Sequence, residues 1–168
     1  MKTIYLAGGC FWGTQHLMRQ LRGVIATQCG YANGLGENPT YEEVYTDLTG
    51  FAECVEVTFD ENILSLSTLL QLFFRSIDPL SLNRQGEDVG TRYRTGIYYA
   101  DDSLVGEILN IYDEVQSQYG NTFAVEFEPL RNFYPAESYH QDYLVKNPSG
   151  YCHISPALIR EAKEINRE

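Results

Sequence analysis

Gly8-Gly9-Cys10-Phe11-Trp12-Gly13 separates two segments that have different hydrophobic periods. Residues 2–7, before it, are rich in β-branched and aromatic side chains and predict a strand. Residues 11–21, after it, repeat apolar side chains at the spacing of a helix, and Gly23 is the expected C-cap of that helix. Cys10 is therefore expected where a strand turns through glycines into a helix.

Cys10 is the first candidate for chemistry. The backbone N–H groups at a helix N-terminus have no intrahelical partner, and the helix dipole is positive there. A thiol in that position is expected to lose its proton more easily, and the thiolate is the reactive form of cysteine. The alternative is a buried structural cysteine that behaves as a small hydrophobic residue. The glycines and the strand-to-helix position favour the reactive interpretation.

Size and charge exclude several classes of protein. The chain has 168 residues and a net charge of −11, and we expect one catalytic domain over residues 1–168, with a helical tail over 155–168. Nucleic acids and anionic membranes require basic patches, so neither is an expected partner. No apolar run approaches the ~20 residues of a membrane-spanning helix, and the first residues lack the pattern of a signal peptide. We expect a cytoplasmic protein, and a monomer.

The cysteines stand at positions 10, 29, 54 and 152 and include no Cys-x-x-Cys pair. In a reducing compartment this spacing predicts neither a disulfide framework nor a structural zinc site. We therefore expect no metal and no organic cofactor.

The order of the predicted elements is typical of an α+β fold. Later strands are predicted over residues 24–31, 51–59, 93–100 and 122–128, and later helices over 41–46, 69–77, 102–119, 136–146 and from 155 onward. The intervening loops are predicted over 32–39, 81–91 and 147–152, with an irregular aromatic segment over 129–135. This order predicts a two-layer α/β sandwich with a mixed sheet and a ferredoxin-like βαββαβ core.

Glu53 is a carboxyl group on the apolar face of a predicted strand. Within residues 51–59 it shares that face with Phe51 and Val55, whereas Cys54 points to the opposite face. Burial favours the protonated form of a carboxyl group, and a protonated carboxyl is a candidate general acid. The alternative is a carboxylate at a strand end that reaches water.

Three more side chains are candidates because of their position. Tyr41 and Tyr93 each begin a predicted element beside a Gly-rich or acidic loop, where a hydroxyl group can donate to a polar oxygen. Cys152 lies in a loop that contains Gly and Pro, and such a loop suits a second thiol that has to reach the first. The alternative for Cys152 is an exposed or packed loop cysteine.

Two other classes of function stay open on these residues. A cysteine hydrolase or acyltransferase would use Cys10 with His140 or His153 as its base. A non-catalytic binding module would use the aromatic residues as a peptide groove.

Eight short motifs follow one another along the chain. They are Gly9-Cys10-Phe11-Trp12-Gly13, Gly30-Tyr31, Asn38-Pro39-Thr40-Tyr41, Gly50-Phe51-Ala52-Glu53, Asp88-Val89-Gly90, Tyr93-Arg94, Tyr139-His140-Gln141 and Gly150-Tyr151-Cys152. In this order they resemble the methionine sulfoxide reductases of the A type, from Ile4 to about Ile154. The first motif is highly specific for that family.

The resemblance implies the reduction of methionine S-sulfoxide, free or in proteins, with electrons from thioredoxin. It implies that Cys10 is the nucleophile and Glu53 the acid. Cys152 matches the resolving cysteine, which condenses with the sulfenic acid on Cys10 to form a disulfide.

The resemblance also implies roles around the substrate. Tyr41 and Tyr93 correspond to residues that bind the sulfoxide oxygen. Phe11 and Trp12 correspond to residues that surround the substrate's methyl group, and Asp88 to a residue that supports the site.

Three positions depart from the family pattern. Gln15 stands where most members carry Glu, Arg92 where Gln is usual, and Cys29 where a small apolar residue is usual. The first two bear on the fine tuning of the site more than on its sulfur chemistry.

Overall fold

The computed structural model describes residues 1–165 of the chain, so residues 166–168 of the predicted tail lie outside the described residues. Its strands are β1 (Lys2–Gly8), β2 (Val24–Ala32), β3 (Ala52–Phe59), β4 (Arg84–Gln85), β5 (Asp88–Val89), β6 (Thr95–Tyr99), β7 (Glu126–Pro129) and β8 (Phe133–Pro135). Its α-helices are α1 (Phe11–Arg19), α2 (Tyr41–Tyr45), α3 (Leu66–Arg75), α4 (Val105–Tyr119), α5 (Tyr143–Lys146) and α6 (Pro156–Glu164).

The main sheet has six strands in the order β7-β6-β1-β3-β2-β8. The pairs of β1 with β3 and β6, and of β2 with β3 and β8, are antiparallel, whereas β6 and β7 are parallel. The four central strands, with α1 between β1 and β2 and α3 between β3 and β6, form the ferredoxin-like arrangement. The predicted α+β class and mixed sheet are confirmed.

The two faces of the sheet bury different side chains. On the helix side, Ile4 of β1 and Val55 of β3 pack in the main core with Phe73 of α3. On the other side, Cys54 lies in a smaller cluster with Tyr98. The predicted alternation along β3 is therefore confirmed, and it places Glu53 and Cys54 on opposite faces.

The first helix is shorter than predicted. It ends at Arg19, and its C-cap is Gln20 in the right-handed conformation, so the assignment of Gly23 as the C-cap is wrong. Gly23 adopts a positive φ of 106°, and a Cβ there would lie 2.6 Å from the Cβ of Leu64. Glycine is required at this position for the turn into β2 rather than to end the helix.

Two segments between residues 81 and 100 differ from the prediction. The predicted loop contains the β4–β5 hairpin, in which Gln85 is buried. The predicted strand over 93–100 begins only at Thr95, because Tyr93 belongs to the 3₁₀ turn Thr91–Tyr93. The side chain of Tyr93 is therefore placed by a turn rather than by strand alternation.

The aromatic segment before the C-terminal helices also differs. The strand predicted over 122–128 is β7, which starts four residues later, and the segment predicted as irregular contains the edge strand β8. The helix predicted over 136–146 is divided into the 3₁₀ turn Ser138–His140 and α5. Asp142 separates them with a positive φ of 54°, which interrupts a helical path. Within residues 1–165, no helix is long and apolar enough to cross a membrane.

Candidate active site

Cys10 lies at the junction of β1 and α1, as predicted. It occupies the N-cap position of the helix in an extended conformation, and its side chain is 8% exposed. Gly9, just before it, has a φ of 83°, and a Cβ there would lie 2.9 Å from the Cβ of Gln85. Glycine is thus needed both for the turn and for its close approach to the β4–β5 hairpin.

The thiol of Cys10 is not activated in the way the sequence predicted. Burial and the neighbouring Glu53 carboxyl raise its pKa well above the ordinary value, although the backbone N–H groups of Trp12 and Gly13 lower it. The helix N-terminus acts in the predicted direction, but removing the thiolate from water has the larger effect. Because part of the increase comes from the charge of Glu53, the thiol of Cys10 ionises more easily when Glu53 is protonated.

Glu53 is buried beside the start of α1. Its side chain is 2% exposed, and its Oε1 accepts a hydrogen bond of 3.1 Å from the backbone N–H of Phe11. Burial raises the pKa of Glu53 to about 8, despite the lowering effects of the Phe11 N–H and the Arg92 charge. The predicted burial of Glu53 is therefore confirmed, and the raised pKa favours its protonated form at neutral pH.

Cys10 and Glu53 open into the same small cavity of about 70 Å³. Its volume suits a group of a few heavy atoms rather than a long side chain. The cavity is lined by Cys10, Phe11, Trp12, Tyr41, Glu53, Asp88, Tyr93 and Tyr151. The structure thus brings together every site residue named from the sequence except Cys152.

One wall of the cavity is aromatic. The indole ring of Trp12 stacks on Tyr143, with ring centroids 3.7 Å apart and planes at 9°. Its Nε1–H donates to Nδ1 of His140 at 3.0 Å. These two contacts fix the plane of the indole ring. Because Nδ1 of His140 is already an acceptor for Trp12, the geometry gives no support to His140 as the base of a cysteine hydrolase.

Tyr41 is held by the start of α2 and by a glutamate that sequence reasoning missed. Thr40 caps the helix in a capping box with Glu43. The backbone N–H of Tyr41 donates to Oε2 of Glu137 at 2.9 Å, and the hydroxyl of Tyr31 donates to its Oε1 at 2.8 Å. Burial raises the pKa of Tyr41 to about 12, which keeps its hydroxyl a donor. The sequence signal that could have identified Glu137 is its position as an acidic residue within an aromatic segment.

Arg92 packs its guanidinium group against the ring of Tyr93. The centre of its guanidinium lies 4.3 Å from the ring centroids of both Tyr45 and Tyr93, and it forms an ion pair with Asp47. Burial raises the pKa of Tyr93 above its ordinary value. One of the three departures from the family pattern therefore holds a tyrosine of the cavity and places a positive charge near Glu53.

Asp88 closes the cavity from the hairpin side. One of its carboxylate oxygens accepts a hydrogen bond of 3.1 Å from the hydroxyl of Tyr151. Tyr151 was part of a quoted motif, but its sequence gave no sign that its ring would line the cavity. The residue next to it along the chain is Cys152, so the same segment supplies a wall of the cavity and the second thiol.

Cys152 does not line the cavity that holds Cys10. It borders a separate cavity of about 640 Å³ between α1, α5 and α6, and all four cysteines are free. A Cβ built on Gly13 would lie 3.4 Å from Cys152 Sγ, which places the thiol against the first turn of α1. Cys152 must therefore move from this cavity toward the one that holds Cys10 if the two are to react.

The other two departures from the family pattern are in contact with each other. Cys29 is fully buried on β2, and its Sγ lies 3.1 Å from Oε1 of Gln15. Gln15 also accepts from the backbone N–H of Asp142 at 2.8 Å. The side-chain amide of Gln141 accepts a hydrogen bond of 2.8 Å from the backbone N–H of Cys29 and donates one of 2.9 Å to the backbone carbonyl of the same residue. This buried network ties α1 to β2 and to the start of α5.

The described residues, 1–165, include no cluster of three His, Cys, Asp or Glu side chains placed to hold a metal ion.

Comparison with known proteins decides the family. The model of the peptide methionine sulfoxide reductase family matches residues 2–168. The chain belongs to the peptide methionine sulfoxide reductases. A curated relative, the peptide methionine sulfoxide reductase MsrA of Clostridium perfringens strain ATCC 13124, is 56% identical over 154 residues, which cover 92% of this chain and 98% of the relative. The enzyme of the same name from Lachnoclostridium phytofermentans is 50% identical over 162 residues, covering 96% and 98%.

Solved structures agree with this family assignment. The reduced form of Mxr1 from Saccharomyces cerevisiae is 40% identical, with a TM-score of 0.86 over 92% of this chain and 91% of that one. An unusual oxidised form of Mxr1 superposes with a TM-score of only 0.67 over 92% of this chain and 86% of that one, at 39% identity. The structure described here, whose cysteines are free, therefore resembles the reduced form of that relative more closely.

Proposed function

We propose that this peptide methionine sulfoxide reductase reduces the S epimer of methionine sulfoxide, free or in proteins, with Cys10 as the nucleophile and Glu53 as the acid. The observation that carries the proposal is that the two side chains line one small cavity. A thiol and a carboxyl group that is protonated at neutral pH are the two groups that the reaction needs.

The oxygen of a sulfoxide is a poor leaving group unless it is protonated. Glu53 donates its proton to this oxygen while the sulfur of Cys10 attacks the substrate's sulfur. The S–O bond of the substrate breaks and its hydroxyl group passes to the sulfur of Cys10 as methionine leaves. Cys10 is thereby oxidised to a sulfenic acid, and the substrate's sulfur is reduced by the same two electrons. The proton of the Cys10 thiol passes to Glu53, which restores the acid, so no proton is gained or lost overall.

The remaining side chains of the cavity orient the substrate. Tyr41 and Tyr93 donate hydrogen bonds to the sulfoxide oxygen, since both hydroxyl groups stay protonated. Phe11 and Trp12 surround the substrate's methyl group. Asp88 supports the site through its hydrogen bond with Tyr151.

Cys152 completes the cycle in this proposal. Its thiol condenses with the sulfenic acid on Cys10, and thioredoxin then opens the disulfide by thiol exchange. One solved structure of the yeast relative holds Mxr1 in complex with Trx2; it is 31% identical, with a TM-score of 0.59 over 84% of each chain. We place the reaction in the cytoplasm, where a reducing environment suits four free cysteines.

The proposal is tested by incubating the enzyme with separated S and R epimers of methionine sulfoxide and dithiothreitol. The S epimer should be reduced to methionine and the R epimer should not. Cys10→Ser is the control and should release no methionine from either epimer. Equal reduction of both epimers, or methionine release by Cys10→Ser, would contradict the proposal.

A further inference from the structure

The segment that carries Cys152 also places an imidazole ring across the first turn of α1. A Cβ built on Gly13 would lie 3.1 Å from both Nδ1 and Cε1 of His153, and 3.4 Å from Cys152 Sγ. A Cβ built on Gly9 would lie 3.4 Å from Nε2 of the same ring. Gly9 and Gly13 stand on either side of Cys10 along the chain. Nδ1 and Cε1 of the ring therefore lie against Gly13, where Cys152 Sγ also lies. Nε2 lies toward Gly9, in the turn that carries Cys10.

The ring of His153 is mostly buried and available to accept a proton. Among the described residues, neither of its nitrogens makes a well-aligned hydrogen bond. Burial lowers its pKa below the ordinary value, and the Asp88 charge and the Gly8 carbonyl only partly offset this. The imidazole is therefore neutral at pH 7, which is the form that acts as a base.

Cys152 is a thiol that needs such a base. Burial raises its pKa above the ordinary value, although the neighbouring backbone of Ile154 acts in the opposite direction. Only a small fraction of Cys152 is thiolate at neutral pH, and the thiolate is the nucleophile. A base placed beside a nucleophile of raised pKa is the usual means by which proteins activate it.

From this geometry we propose that His153 is the general base, and then the general acid, for the condensation of Cys152 with the sulfenic acid on Cys10. The inference rests on the proposed function, because it assigns a residue to the resolving step of that same site. It gives His153 a part in disulfide formation and none in the release of methionine.

The step balances in atoms and electrons. His153 takes the proton of the Cys152 thiol, and the resulting sulfur anion attacks the sulfur of Cys10. The S–O bond of the sulfenic acid breaks, and the protonated imidazole gives its proton to the leaving hydroxide, which becomes water. Cys152 is oxidised and Cys10 is reduced from sulfenic acid to disulfide, so no other oxidant is required.

The charged groups that face His153 come from several elements. Asp88 of β5 lies on one side. A cavity of about 280 Å³ next to the ring is bordered by the charged side chains of Arg75 and Asp78, and by Gln85. These groups place both signs of charge near the ring, so burial decides its protonation state.

His16 is the competing base, because it borders the same large cavity as Cys152. It lies six residues beyond Cys10 on α1, which corresponds to ~9 Å along the helix axis. A base there is too far from Cys10 to give a proton to the leaving hydroxide. His16→Gln is therefore the matched control for His153→Gln.

The experiment mixes reduced enzyme with one equivalent of methionine S-sulfoxide. Methionine release is followed in quenched samples, and the sulfenic acid is followed separately as its dimedone adduct until the disulfide replaces it. His153→Gln should release methionine at the wild-type rate but form the disulfide on the order of 10²-fold more slowly at pH 7, the lower end of the usual range for general-base catalysis. Its disulfide rate should rise with pH as the thiol ionises, whereas His16→Gln should match the wild type.

Two results would overturn the inference. One is disulfide formation by His153→Gln at the wild-type rate. The other is a rate lowered by the same factor at every pH, which indicates a structural role. If the wild type itself releases no methionine, the proposed function fails instead, and the two failures are thereby distinguished.

The wild type gives a second test that requires no folded variant. If His153 is the base, the rate of disulfide formation should be nearly level between pH 7 and 8, since the imidazole is already neutral there. A wild-type rate that rises about tenfold per pH unit over this range, as expected for attack by a free thiolate, would contradict the assignment even if His153→Gln did not fold.

Discussion

The segment that carries Cys10 and the segment that carries Cys152 differ in how they are held. Cys10 lies between a central strand, β1, and the helix that packs on it, and Glu53, its proposed acid partner, belongs to the neighbouring strand β3. Cys152 lies between α5 and α6 with no regular element of its own, and the adjacent Tyr151 is 46% exposed. In the proposed cycle, the attack on the substrate therefore takes place at residues fixed by the sheet, and the thiol that has to move belongs to an irregular connection.

Cys152→Ser should have the largest effect on turnover, and it should distinguish the roles of these two regions. The variant should still release about one methionine per enzyme at the wild-type rate, because attack and protonation need only Cys10 and Glu53. Turnover with thioredoxin should be lost, since thioredoxin opens disulfides. Some turnover with dithiothreitol should remain, because a small thiol can reach the sulfenic acid directly.

The matched control is Cys54→Ser, which alters a cysteine on the opposite face of the sheet and should keep thioredoxin-linked turnover. Full thioredoxin-linked turnover by Cys152→Ser would contradict the role of the irregular segment.

Glu53→Gln tests the fixed region. The substitution keeps the shape and the hydrogen bond from Phe11 but removes the acidic proton. Methionine release in a single turnover should slow by a factor on the order of 10²–10⁴ at pH 7. Release at a near wild-type rate would remove Glu53 from the mechanism, and wild-type folding of the variant is checked by its circular dichroism.

The pH dependence of the wild type follows from the same carboxyl group. In the proposed mechanism the protonated form of Glu53 is the active one, and burial raises its pKa to about 8. The rate constant for methionine release should therefore fall as the pH rises above about 8. Glu53→Gln cannot lose this proton and should lack that decline, which is measured by single-turnover assays from pH 6 to 10.

Tyr93→Phe removes one donor from the cavity and should have a smaller effect. We expect methionine release to slow by ~10-fold, less than the 10²–10³ that the loss of a donor to a full oxyanion costs, because a sulfoxide oxygen carries less charge. Tyr45→Phe is the control, since Tyr45 also contacts Arg92 but is exposed and does not line the cavity. Equal rates for the two variants would count against a hydrogen bond from Tyr93 to the substrate.

Arg92→Gln should have the smallest effect and reveals how the departure from the family pattern tunes the acid. The charge of Arg92 lowers the pKa of Glu53, so its removal should move the decline in rate to higher pH. Arg92→Lys keeps the charge and should leave the decline near its wild-type position. A shift to lower pH with Arg92→Gln would contradict the electrostatic explanation.

The sequence predicted the parts of the site that depend on local pattern. Strand alternation alone predicted that Glu53 is buried and that Cys54 lies on the opposite face. The glycine turn predicted that Cys10 lies at the start of α1. The predicted lowering of the Cys10 pKa was wrong. A helix N-terminus can be predicted from the sequence, but burial has the larger effect on this pKa, and the degree of burial depends on tertiary packing.

Contacts between distant segments were the other missed class. Glu137 holds the backbone of Tyr41 across 96 residues of sequence, and Tyr151 reaches Asp88 across 63. Neither pair has a local spacing that a periodicity argument detects. The same reason explains the β4–β5 hairpin and β8, which are only two and three residues long and are defined by their partners rather than by propensity.

In the proposed cycle, Cys10 reacts in place and Cys152 moves to it. Peptide mapping of the wild type tests it directly, after one turnover with methionine S-sulfoxide in the absence of any reductant. We expect a dominant Cys10–Cys152 disulfide. Cys29 is also buried next to α1, in contact with Gln15, but the strand ladder of β2 resists the shift that a Cys10–Cys29 bond requires. A dominant bond from Cys10 to Cys29 or Cys54 would contradict it.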